Sequence, residues 1–174
     1  MPRNLELKVP FIFTSEARDT LLALGARQIG ILEQRDTYFI VPHGRLKLRE
    51  TAGEAATLIA YARPDHADTR ASDYLVVPVL DAALLLAALS RATGLRGIVS
   101  KRRDLWLWKN VRVHLDKVEA LGTFLEFEAV ISEEVDEQES QRRLDTLRDA
   151  LKIDPSTAIA GSYADLLLAP QTAR

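Results

Sequence analysis

Two periodicities take turns along the chain. Over Asn4–Val9 polar and apolar residues alternate, with Asn4, Glu6 and Lys8 on one face and Leu5, Leu7 and Val9 on the other, the period-two signature of a half-buried strand. Leu21, Leu22 and Leu24 then follow a capping candidate at Thr14 or Ser15 and precede Gly25, which predicts a helix over Ser15–Leu24. Short β-type runs come next at Tyr38–Val41, Arg45–Glu50, Leu58–Arg63 and Tyr74–Val79, separated by Pro, Gly and Asp clusters. Pro42, His43 and Gly44 suit a hairpin turn. Asp81 caps a predicted helix from Ala82 to about Thr93, ended by Gly94. Further strands are expected at Ile98–Lys109, Val111–Val118 and Thr123–Ile131, with turns at Asn110 and at Leu121 and Gly122. Glu137–Leu151 is an amphipathic helix with Leu144, Leu147 and Leu151 on one side. A last short helix near Tyr163–Leu168 follows the Pro155 break. No repeat, low-complexity segment or linker interrupts the pattern, so one domain over residues 1–174 is expected.

The strand faces carry the chemistry. Arg45, Lys47 and Arg49 share a face opposite Leu46 and Leu48. Arg112, His114 and Asp116 stand opposite Val111, Val113 and Leu115, and Glu126 and Glu128 stand opposite Leu125, Phe127 and Ala129. Such a sheet has one apolar face, on which the amphipathic helices can pack, and one charged face. In an open sheet the charged face meets water. In a barrel with its helices outside, both signs point inward, where screening is weak and charges need partners. Taken alone, any one row is more often a solvated strand face. The conjunction says more, because Glu6 falls on the first strand, the pair Glu126 and Glu128 on the last long strand, and basic rows fall between them. That arrangement holds a polyanion through a metal on one side and through Arg and Lys on the other. Carboxylate oxygens without His or Cys suit Mg²⁺ or Mn²⁺ rather than zinc. His114 lies beside charged candidates and reads equally well as a spectator.

Composition narrows the field by exclusion. The 23 Lys and Arg against 25 Asp and Glu leave a net charge of -2, so bulk charge predicts neither a nucleic-acid nor a membrane surface. The absence of cysteine excludes a disulfide framework, a zinc–thiolate site and a cysteine nucleophile. The charged, alternating start Met1–Lys8 predicts no signal peptide, and the longest apolar run, Ala82–Leu89, is too short to span a bilayer. A soluble cytoplasmic protein is expected. Neither a GxGxxG nor a GxxxxGK phosphate loop is present, and Ser100 and Ser162 lack the context of a nucleophile elbow. Trp106 and Trp108 alternate with Leu105 and Leu107, which predicts packing under a helix rather than a base-stacking platform.

Eight segments then appear in order: Asn4–Lys8, Arg35–Phe39, Gly44–Glu50, Tyr61–Pro64, Lys101–Arg103, His114–Val118, Leu121–Glu128 and Gly161–Leu167. Together they resemble the CYTH proteins, or triphosphate tunnel metalloenzymes, which include class IV adenylyl cyclases, thiamine triphosphatases and inorganic triphosphatases. The likeness is to the class IV cyclase-like branch in particular. It implies an α+β fold, a closed eight-stranded antiparallel β-barrel with helices packed outside. The family opens on Glu-x-Glu-x-Lys; Glu6 and Lys8 match its second Glu and its Lys, and Asn4 replaces its first Glu. The resemblance implies metal ligands at Glu6, Glu126 and Glu128 and, weakened, at Asn4. It implies substrate-binding cations at Lys8, Lys47, Arg49, Arg63, Lys101, Arg103 and Arg112, with Lys8 and Asp116 as catalytic candidates. Its implied cofactor is Mg²⁺ or Mn²⁺ and its implied partner a triphosphate-bearing small molecule, ATP or inorganic triphosphate. Three functions stay open: a cyclase making cyclic AMP and pyrophosphate, a triphosphatase acting on inorganic, thiamine or nucleoside triphosphate, and a non-catalytic polyphosphate binder left by loss of a metal site at Asn4.

Overall fold

The computed structural model describes residues 3–62 and 69–168; the expectation placed on Arg63 lies outside them. Among the described residues the strands are β1 (Arg3–Pro10), β2 (Arg27–Phe39), β3 (Arg45–Thr51), β4 (Thr57–Ala62), β5 (Arg70–Pro78), β6 (Leu95–Trp108), β7 (Val111–Val118) and β8 (Gly122–Ile131). The helices are α1 (Ser15–Ala23), α2 (Ala82–Thr93), α3 (Glu137–Ala150) and α4 (Tyr163–Leu168). The strands close into an antiparallel barrel in the order β1-β5-β4-β3-β2-β6-β7-β8. β1 completes the ring by pairing with β5 on one side and β8 on the other.

Alternation decides which way each side chain points. On β1, β7 and β8 the apolar set Leu5, Leu7, Val9, Val111, Val113, Leu115, Leu125 and Phe127 is buried on the outside of the barrel. Leu21 of α1 and Leu144 and Leu147 of α3 cover it. Burying each such side chain contributes about 1.5–3 kcal/mol, and this layer holds the helices to the wall. Trp106 and Trp108 belong to the same layer. The Trp108 indole donates to the carbonyl of Leu24 at the end of α1, at 2.8 Å. Thr14, Asp81 and Asp136 cap α1, α2 and α3 with their side-chain oxygens. Gly44, between β2 and β3, has φ 63°, and a Cβ there would meet the Tyr61 carbonyl oxygen at 2.8 Å, so only glycine fits this turn. Among the described residues no helix is long and apolar enough to cross a membrane.

Three strands begin well before their expected starts: β5 at Arg70 rather than Tyr74, β6 at Leu95 rather than Ile98, and, by the widest margin, β2. The pattern predicts Tyr38–Val41, whereas β2 spans Arg27–Phe39, and Ile40 and Val41 lie past its end. Neither face of β2 reads as apolar along its length, with Ile29 and Ile31 half exposed outside and Gln34 and Asp36 buried inside. Its partners β3 and β6 set this strand, and no local alternation reveals it.

Candidate active site

The barrel lumen is a cavity of about 300 Å³. β2 and β3 stand across it from β1 and β8, and the two walls carry opposite chemistry.

On the first wall everything turns on Asp36, which is 0% exposed. Its Oδ1 accepts from Arg49 Nε at 2.7 Å, and its Oδ2 accepts from Arg49 Nη2 at 2.7 Å, Lys47 Nζ at 3.0 Å and Lys101 Nζ at 2.9 Å. Burial alone would raise the Asp36 carboxyl; the charges of Arg49, Lys101 and Lys47 overcome that and hold it well below the usual carboxylate range. Lys101 is pulled down to about 7 by burial, with Asp36 opposing. Lys47 is pulled down to about 8 by burial and by the Arg49 charge.

A second cluster joins β6, β7 and β8. Arg103 donates twice to Asp116, at 2.7 and 2.6 Å, and once to Glu126 at 3.1 Å. Glu126 also pairs with Lys8 at 3.1 Å and lies 3.3 Å from His114 Nδ1. Burial would raise Asp116, and Arg103 brings it down to about 2. Further along, Arg112 donates to Glu128 at 3.0 Å, its side chain 40% exposed. Glu6 faces Glu128 across the β1–β8 pairing.

Tyr163, at the start of α4, closes one end. Its hydroxyl donates to Asp116 at 2.9 Å. Its ring centroid lies 4.1 Å from Lys8 Nζ and 5.1 Å from the Phe124 ring. Asp165 ties α4 to the barrel through Arg45 at 3.0 Å and Arg96 at 2.7 Å.

The donor set suits a hard divalent cation. The lumen offers the carboxylates Glu6, Glu126 and Glu128 beside Asn4. The Asn4 amide oxygen is buried without a hydrogen-bond partner, a costly arrangement that an oxygen-seeking cation would relieve. Among the described residues no three His, Asp or Glu side chains already form a metal-ligating group; Glu126 and Glu128 are turned instead to Lys8, Arg103, Arg112 and His114.

Asn4, Glu6, Lys8, Lys47, Arg49, Lys101, Arg103, Arg112, Glu126 and Glu128 all line the lumen. Asp116 lies behind it, bonded to Arg103 and Tyr163. Arg102, one position from Lys101, points outward to Glu33. Sequence reasoning assigned no role to Asp36 or Tyr163. Both residues fall within segments that carry the resemblance, Arg35–Phe39 and Gly161–Leu167, but no alternation marks the strand that holds Asp36, and Tyr163 reaches the lumen only through the folding back of α4.

A closed antiparallel barrel with outer helices and a lumen of sorted charges is the triphosphate-tunnel fold. The CYTH domain model matches residues 2–163, and the chain belongs to that family. The PH1012 protein of Pyrococcus horikoshii is similar, 25% identical with a TM-score of 0.82 over 94% of this chain and 98% of its own. A candidate adenylate cyclase from Vibrio parahaemolyticus is 16% identical, with a TM-score of 0.72 over 94% and 97%. HpAC1 from Hippeastrum, a candidate adenylyl cyclase with a dominant triphosphatase activity, is 14% identical with a TM-score of 0.64 over 96% and 94%. No curated protein matches the chain.

Proposed function

We propose that the chain is a metal-dependent enzyme of the class IV adenylyl cyclase type, converting ATP to cyclic AMP and pyrophosphate inside the barrel. The sorting of charge in one enclosed lumen carries this reading. Lys47, Arg49 and Lys101 gather on one side, Glu6, Glu126, Glu128 and Asn4 on the other, with Arg103 and Arg112 between. Cations fixed before the substrate arrives stabilise the charge that grows on the departing phosphate without reorganising. Lys47, Arg49 and Lys101 bind phosphoryl oxygens. Arg103, held in place by the two bonds to Asp116, donates to the reacting phosphate. Lys8, between Glu126 and the Tyr163 ring, supplies a further ammonium. Glu6, Glu126, Glu128 and the Asn4 oxygen would hold Mg²⁺ or Mn²⁺, which when bound neutralises phosphate charge and makes the attacking hydroxyl more acidic. In the cyclase reaction the ribose 3′-oxygen bonds the α-phosphorus, its proton leaves, and the bond to the β-phosphate oxygen breaks to release pyrophosphate.

Water attacking the γ-phosphorus instead, with the bond to the β-phosphate oxygen breaking, would give ADP and phosphate from the same cradle, because these side chains would contact phosphates rather than the attacking oxygen. The neutral amide at Asn4 favours a third reading, in which the site binds polyphosphate and turns it over slowly or not at all. Pure protein incubated with ATP and Mg²⁺ or Mn²⁺, followed by separation of products, tests the proposal. Cyclic AMP with pyrophosphate is the expected result. ADP with phosphate would make the chain a triphosphatase, and no product with either metal would make it a binder.

A further inference from the structure

Asp36 is one carboxylate facing three cations. Lys47, Arg49 and Lys101 all end on its two oxygens, which leaves this group, with Asp36 and Lys101 buried and Lys47 and Arg49 partly buried, with a formal excess of positive charge. Among the described residues, no second carboxylate is bonded to Lys47, Arg49 or Lys101. Arg103, next to Lys101 on the inner face of β6, is matched by Asp116 and Glu126, and Glu126 also serves Lys8. Tyr38 and Tyr61 present ring faces to Lys47, and Tyr163 presents its ring to Lys101. A buried excess of charge is relieved most simply when one cation gives up its proton. A guanidinium does not do so, and a lysine does. Lys101 is the more enclosed of the two lysines, its side chain 1% exposed against 12% for Lys47.

We propose that Asp36 is a positioning residue that holds Lys47, Arg49 and Lys101 as a preassembled, under-neutralised cradle, and that a polyanion entering it is accompanied by proton uptake at Lys101. The inference rests on the reading of the lumen as a polyanion site and adds the linkage to pH. Before the anion arrives Lys101 titrates near neutrality, at about 7, because burial outweighs Asp36. Phosphate oxygens bring the charge that Asp36 alone does not, so the ammonium form is restored as the anion docks. Above pH 7 binding therefore draws a proton from solution, and affinity for a fully ionised polyanion falls as pH rises. Asp36 sets the midpoint, because its charge is what keeps Lys101 from falling further.

Calorimetric titration of the full chain with tripolyphosphate, without metal and in buffers of different ionisation enthalpy, counts the protons directly. Lys101→Arg is the reference, since it keeps the charge and does not titrate; the protons of the ligand itself are common to both proteins and cancel. With Lys101 near 7, the wild type should take up more protons than Lys101→Arg at pH 8, by up to about one, and the excess should shrink toward pH 6. Should Lys101→Arg fail to fold, Lys101→Met removes the same titration without added bulk. Asp36→Asn should move the onset of uptake to lower pH, which a merely structural role would not do. Binding with equal proton counts in wild type and reference at pH 8 overturns the coupling and leaves the anion site standing. No binding at either pH removes the anion-site reading itself, and the coupling with it.

Discussion

Replacing Asp116 with Asn isolates the buried ion pair that backs the lumen wall. Asp116 is 1% exposed, and the substitution keeps its shape while removing the charge that Arg103 meets twice, at 2.7 and 2.6 Å. Stripping one partner from a buried pair costs about 3–5 kcal/mol. Arg103 keeps Glu126 at 3.1 Å, which places the cost at the lower end, about 3 kcal/mol. For a chain of this length that lowers Tm by about 6–12 °C. Proton linkage gives a second measure. Burial raises the Asp116 carboxyl and Arg103 lowers it further, to about 2 against an ordinary 3.8, worth roughly 2 kcal/mol. Because the folded pKa is the lower one, this contribution is complete above about pH 4 and is lost as pH falls through 2. The Tm gap between wild type and Asp116→Asn, followed by scanning calorimetry from pH 7 to pH 3, should therefore narrow at the acid end. A gap under about 2 °C at pH 7, or one that does not narrow, refutes the reasoning.

Glu128→Gln should abolish metal-dependent turnover of ATP while shifting Tm by no more than about 3 °C, because its partner Arg112 is half in solvent. Glu126→Gln should lose turnover and stability together, since it removes the carboxylate charge that Lys8 and Arg103 share; wild-type rates in either variant would rule out the metal assignment. The ligand-free protein should become more stable as pH rises from 7 toward 10. Over that window the unfolded chain holds protons that folded Lys101 and Lys47, pulled down mainly by burial, have released, and a flat or falling urea midpoint would contradict this. Asn4→Glu should strengthen metal binding and raise turnover, measured as rate against Mn²⁺ and Mg²⁺ concentration; unchanged metal dependence would mean that Asn4 is not a weakened ligand.

The alternation in β1, β3, β7 and β8 was legible because each strand has one face in an apolar layer and one in the lumen, so polarity reports direction. It placed Glu6, Lys8, Arg49, Arg112, Glu126 and Glu128 inside, as the structure does. β2 was hidden because its outer face is half exposed and its inner face polar, so nothing alternates. Asp36 was missed with it, although the basic row Lys47 and Arg49 is arranged around that one carboxylate. Composition could not reveal this, since a buried counter-charge is a property of pairing between strands. Tyr163 depends on α4 folding back over the barrel end, a long-range contact with no local pattern.

A crystal structure with tripolyphosphate and Mn²⁺, with the metal located by anomalous scattering, tests the central claim most directly. The account predicts phosphate oxygens against Lys47, Arg49 and Lys101, and manganese on the opposite wall against carboxylates from Glu6, Glu126 and Glu128 and the Asn4 amide oxygen. Anion and metal bound outside the barrel, or a lumen left empty at saturating ligand, would contradict it.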